Sequence, residues 1–129
     1  MGLNKRTYTV DAGDSLFAAN GVKSIPADGY ELAASVTGQL KRGLPLIQGA
    51  TPRELIPVAT ATDQVVAILA DDTDADVTKG ISAYQEGEFN RYAVLAAMEA
   101  SSLAITYTDL EVKARMAGIY FKDVVKNVE

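Results

Sequence analysis

The chain contains no cysteine, no histidine and no tryptophan in its 129 residues. The first two absences exclude disulfides, thiolate nucleophiles, imidazole bases and the usual zinc ligand sets. A serine hydrolase of the Ser–His type goes with them, and no Gly-x-Ser-x-Gly elbow is present. There is likewise no GxGxxG and no phosphate-cradling glycine loop ending in Lys-Ser/Thr. Acid–base chemistry would fall to carboxylates alone. Glu86 and Glu88 flank a glycine and would share one face of a strand, but with seventeen acidic residues such a pair is expected by chance. The sequence points away from an enzyme and implies no cofactor and no metal.

Concentrated positive charge is also missing. The twelve Lys and Arg residues are scattered, with no more than two adjacent (Lys5-Arg6 and Lys41-Arg42), against a net charge of −5 and a pI near 4.7. No patch matches a phosphate backbone or an anionic membrane, so neither is expected as a partner. The purely apolar runs, Val65 to Ala70 among them, are too short to span a bilayer. Thr7-Tyr8-Thr9-Val10 stands where a signal peptide would place its apolar core, so the expectation is a soluble protein made in the cytoplasm. A hydrophobic content of 48% and a charged content of 22% fit one globular domain.

What is present reads mostly as β-structure. Thr7, Tyr8, Thr9 and Val10 alternate polar and apolar strand formers, and Asp11 to Asp14 closes the segment. So short a strand must pair with the rest of the domain or with another chain, which makes residues 1–13 an extended arm. Asn20-Gly21 and Asp28-Gly29 are hairpin signals, because both dipeptides tolerate the positive φ angles of type I′ turns. An antiparallel meander is the simplest arrangement. Three prolines between residues 38 and 63 predict loops and edge strands there. Val65–Ala70 and Gly80–Gln85 read as strands, the second interrupted at Glu86-Gly87-Glu88. Ala93–Ala100 is ambiguous between helix and strand. Thr108-Asp109-Leu110-Glu111 has the form of a capping box opening a helix, which Gly118 ends before an Ile119-Tyr120-Phe121 strand. The fold class expected is mainly β with a short C-terminal helix: a small sandwich- or barrel-like domain, residues 14–129, carrying the arm.

Asp72, Asp74 and Asp76 have the 1-3-5 spacing of a calcium loop. Val77 occupies the sixth position, where glycine is needed, and Ala83 the twelfth, where a bidentate glutamate belongs. A solvated strand-to-strand loop is the preferred reading.

From Leu40 to Lys122 the order of segments resembles the lambda-type bacteriophage head decoration protein family. The residues that carry the resemblance are Arg42-Gly43-Leu44-Pro45-Leu46, Pro57-Val58, and Ala67 to Ala75 with Leu69, Asp72 and Asp74. Gly87-Glu88-Phe89-Asn90-Arg91 and the closing Gly118-Ile119-Tyr120-Phe121-Lys122 complete the series. Ala67 stands where the family often has glycine. The resemblance implies a small β-rich domain that forms homotrimers on the outer surface of an icosahedral virion head. There it would bind the major capsid protein at three-fold and quasi-three-fold sites of the expanded shell and stabilise it against packaged DNA. It also implies an N-terminal arm that extends a capsid sheet. A phage tail or baseplate subunit, or a host-glycan binding module, is the rival expectation.

Overall fold

A computed structural model describes residues 16–18, 26–101 and 107–123. Among these are nine strands: β1 (Pro26–Leu32), β2 (Gln39–Leu40), β3 (Pro45–Gln48), β4 (Glu54–Pro57), β5 (Ala67–Leu69), β6 (Thr73–Asp74), β7 (Gly80–Tyr84), β8 (Gly87–Asn90) and β9 (Ile119–Lys122). Two ten-residue helices, α1 (Arg91–Ala100) and α2 (Tyr107–Met116), lie between β8 and β9. The chain is mainly β, as its composition of strand formers and turn residues implies. No helix among the described residues is long and apolar enough to cross a membrane.

Five strands close into a barrel in the order β1-β4-β3-β5-β7. Closure gives every barrel strand two neighbours and so removes the edges that short strands cannot leave exposed. The interior is filled by Leu32, Leu46, Leu55, Ala67, Leu69, Ile81 and Ala83, all buried, while Ile68 is buried on the opposite face of β5. This is not a meander: β1 and β4 run parallel, with Glu31 opposite Glu54, while the other four pairings are antiparallel. Two small ribbons flank the barrel, β2–β6 antiparallel and β8–β9 parallel.

The Asp28-Gly29 hairpin does not form. Both residues lie inside β1, where the register against β7 shifts between Ala27↔Ala83 and Tyr30↔Ile81. The dipeptide is a β-bulge, and Gly29 at φ +92° supplies there the positive angle expected of it in a turn. Asn20-Gly21 lies outside the described residues. The residue 38–63 stretch also departs from expectation, because β3 is an interior barrel strand rather than an edge. Two of its three prolines are accommodated at strand ends, Pro45 opening β3 and Pro57 closing β4, where a missing N–H costs least, and Pro52 lies in the turn between them.

The ambiguous segment is helix α1. Asn90 caps it, its side-chain carbonyl accepting from the Tyr92 N–H at 3.0 Å, and Val94, Ala97 and Met98 form the buried stripe. The second helix ends at Gly118, φ +82°, in the position the sequence indicated. Its start differs: α2 already includes Tyr107, so Thr108 is a helical residue rather than the cap. The Glu111 carboxylate does not reach back to the main chain but binds Arg91.

Candidate functional site at the root of the arm

Residues Leu16–Ala18 lie across the outer edge of β8. Phe17 forms an antiparallel bridge with Phe89, the Ala18 N–H donates to the Glu88 carbonyl at 3.1 Å, and the Asn90 N–H donates to the Leu16 carbonyl at 2.6 Å. Leu16–Ala18 is therefore joined to the β8–β9 ribbon by one isolated antiparallel bridge, at the point where the arm expected from the sequence would have its root. Thr7, Tyr8, Thr9 and Val10 themselves lie outside the described residues.

Side chains hold this root from three directions. Leu16 is 2% exposed and packs against Gly43, where an added Cβ would meet Leu16 Cδ1 at 3.1 Å. Gly43 also has φ +102°, so its lack of a side chain serves both the backbone angle and the close approach. Phe17 meets Tyr84 edge-on at 5.2 Å between ring centroids and Phe89 at 5.7 Å, and Tyr84 and Phe89 are themselves 6.0 Å apart. Three mutually tilted rings are the favourable arrangement of aromatic quadrupoles.

Arg42 closes the cluster. Its guanidinium carbon is 5.6 Å from the Phe17 ring centroid and 5.9 Å from that of Tyr84. Arg42 Nε donates to the Ala70 carbonyl at 2.8 Å and Nη2 to the Tyr84 hydroxyl at 3.2 Å, which orients the plane of the fork. The Arg42 N–H donates to Asp72 Oδ1 at 2.8 Å. A cation oriented over two rings contributes about 0.5–2 kcal/mol, depending on how far it is desolvated.

The ribbon is tied to both helices through Arg91. It binds Glu111 Oε2 at 2.5 Å and the Phe121 carbonyl at 2.9 Å, and it also pairs with Asp123. The hydrogen bonds to Glu111 first, then to Asp123, hold the guanidinium above its ordinary pKa against the opposing effect of burial. Glu88, on the outer face of β8, pairs with Lys122 of β9 at 3.4 Å. Glu86 precedes the strand and takes no part in that pair.

Much of the sequence-matched series converges here. Gly43 and Phe89 touch the root directly, Glu88 and Asn90 hydrogen-bond to it through their main chains, and Asp72 holds Arg42. Leu69, fully buried, accepts from the Gly43 N–H at 2.9 Å. Pro45 begins β3 just beyond this cluster and accepts from the Val58 N–H. Gly87, Gly118 and Ile119 lie at the opposite end of the ribbon, with the Gly87 N–H on the Gly118 carbonyl at 3.1 Å.

Asp74 belongs to the β2–β6 ribbon, and the acidic stretch is more structured than a solvated loop. Asp74 accepts from Gln39 Nε2 and from the Asp76 N–H, and Asp76 accepts from the Gly38 N–H. Thr73 and Ala75 between them are buried. The aspartates lace this segment to the strand beside it, which is why a run of acids folds inward at alternate positions. Phe17 and Tyr84 are the members of this cluster that sequence reasoning misses. Residues Leu16–Ala19 read as half of a hairpin, and the only signal was a pair of large apolar residues at the foot of a polar arm.

Among the described residues no group of three or more carboxylates converges to hold a metal ion. What the geometry provides is a fixed anchorage of Leu16–Ala18 on the edge of β8. No protein-family model matches the chain, and comparison with curated proteins finds no relative.

Proposed function

We propose that this protein is a structural binder of the phage head-decoration type. It adds to the outer surface of an expanded capsid, as a homotrimer at three-fold and quasi-three-fold positions, and stabilises the shell without catalysing any reaction. The observation that carries the reading is the arm root. Leu16 and Phe17 are clamped on β8 by Gly43, Tyr84, Phe89 and Arg42, so the residues before them leave from a fixed point on a strand edge. A strand-forming segment held at one end suits β-augmentation of a partner sheet, in which main-chain hydrogen bonds supply affinity and the sequence demand is low.

Fixing the root lowers the entropy cost of presenting the arm, and three arms on one trimer raise their effective concentration at a composite capsid site. The exposed pair Val112 and Met116, one turn apart on the outer side of α2, adds apolar surface of the kind protein contacts use. A net charge of −5 keeps the free protein soluble before it meets a lattice.

The test is co-sedimentation of the purified protein with expanded and unexpanded heads, alongside a variant lacking residues 2–12. The full chain binds expanded heads selectively, and the shortened chain keeps its fold by circular dichroism but loses the heads. Full occupancy by the shortened chain refutes the arm's role.

A further inference from the structure

The geometry points to a second binding site, remote in kind from the arm root: a small pocket that takes a carboxylated monosaccharide. A surface cavity of about 250 Å³ is lined by Ala27, Gly29, Tyr30, Pro52, Arg53 and Gln85. Its floor is the β1 bulge. Arg53 Nε donates to the Gly29 carbonyl at 2.8 Å, which fixes the guanidinium over the bulge. The fit is close: a Cβ on Gly29 would lie 2.2 Å from Arg53 Nη2, and φ +92° disfavours any side chain there. The fork is thus oriented before a ligand arrives, and its Nη donors pair with no carboxylate among the described residues.

The rest of the lining is neutral and polar in a defined pattern. Gln85 Nε2 donates to the Tyr30 hydroxyl at 2.7 Å. The hydroxyl, having accepted, keeps its own proton to donate, and the Gln85 side-chain carbonyl is left to accept. The pocket therefore offers a planar cationic fork, one O–H donor and one carbonyl acceptor. A carboxylate matches the fork in bidentate geometry, and an adjacent hydroxyl matches the Gln85 carbonyl. A phosphate dianion, with no proton to give, would set its oxygens against that carbonyl.

The size of the pocket favours a sugar acid over a peptide carboxyl terminus. The volume holds one ring-sized ligand, and Ala27 and Pro52 give no recess for a peptide side chain.

The experiment is an NMR titration of the isotope-labelled full chain with glucuronate, methyl glucoside, acetate and an N-acetylated peptide with a free carboxyl terminus. Glucuronate is expected to shift the Gly29, Tyr30, Arg53 and Gln85 signals saturably. A Kd on the order of millimolar is expected, the range reached by a ligand of about a dozen non-hydrogen atoms. Methyl glucoside and acetate bind at least about tenfold more weakly, because each lacks one half of the pattern. Arg53→Met loses glucuronate binding by a similar factor with an unchanged thermal melt, and Gln85→Leu weakens it while leaving acetate unaffected. The proposal is overturned by unsaturable shifts, by equal binding of methyl glucoside, by wild-type affinity in Arg53→Met, or by a peptide that binds more tightly than glucuronate. None of these outcomes bears on head binding by the arm.

Discussion

Replacing Phe17 by alanine tests the anchorage directly. The side chain is half-buried and contacts two rings and one guanidinium. A fully buried Phe→Ala change costs about 3–5 kcal/mol, and roughly half of that transfer and cavity loss applies at this exposure. The aromatic pairs and the cation–ring contact contribute about 0.5–1.5 kcal/mol beyond area. The root is therefore weakened by about 2–4 kcal/mol, a factor of about 30–900 in its opening equilibrium.

Hydrogen exchange reads this at two places. The Ala18 and Asn90 amides close the bridge to β8, and both are expected to lose protection by that factor. Phe17→Leu restores part of it, because apolar area returns without the ring geometry. Head binding falls in step with the loss of protection, although the arm sequence is intact. Unchanged protection at Ala18 and Asn90 would refute the anchor, and full head occupancy with both amides exposed would break its link to binding.

Two further outcomes follow from groups away from the root. Arg91→Met leaves Glu111 and the Phe121 carbonyl without their donor at a site only 24% exposed, so denaturant unfolding should show a loss of about 2–3 kcal/mol, with Arg91→Lys intermediate because an ammonium cannot fork. Asp63 is held below its ordinary pKa of 3.8, first by the Thr60 N–H, against partial desolvation, with help from the Ala59 N–H and the Thr60 hydroxyl. A depressed carboxylate stabilises the fold above its unfolded pKa and ceases to do so as pH falls through the folded one. Asp63→Asn should therefore cost about 1 kcal/mol at pH 7 by urea titration, and the gap to the parent protein should close below about pH 4; a gap that is constant from pH 7 to pH 3 contradicts this assignment.

Local signals were legible wherever the structure satisfied them locally. The Val65–Ala70 run holds β5, Gly80–Gln85 holds β7, Ile119–Phe121 lies in β9, and Gly118 ends α2. Each depends on side-chain period or on one residue's φ preference. The misreadings share the opposite property. Asp28-Gly29 permits a positive φ, but whether that angle makes a hairpin or a bulge depends on β7, some fifty residues away. Glu111 has the capping-box position, yet Arg91, twenty residues earlier in the chain, competes for its carboxylate and wins by making a charge-assisted bond. The alanine-rich segment resolved as α1 once Asn90 capped it and Val94, Ala97 and Met98 found a core to cover.

The amino-acid sequence by itself determined which chemistry this protein lacks, because no arrangement of the chain creates an imidazole or a thiolate. It also determined the predominance of strands, through turn residues and alternating apolar positions. Closure of the barrel, its one parallel pairing and the gathering of Gly43, Leu69, Asp72, Phe89 and Asn90 around Phe17 belong to the tertiary structure alone. These contacts join residues up to about seventy positions apart. Their partners are selected by register and volume in the assembled core, quantities that no local window of sequence contains.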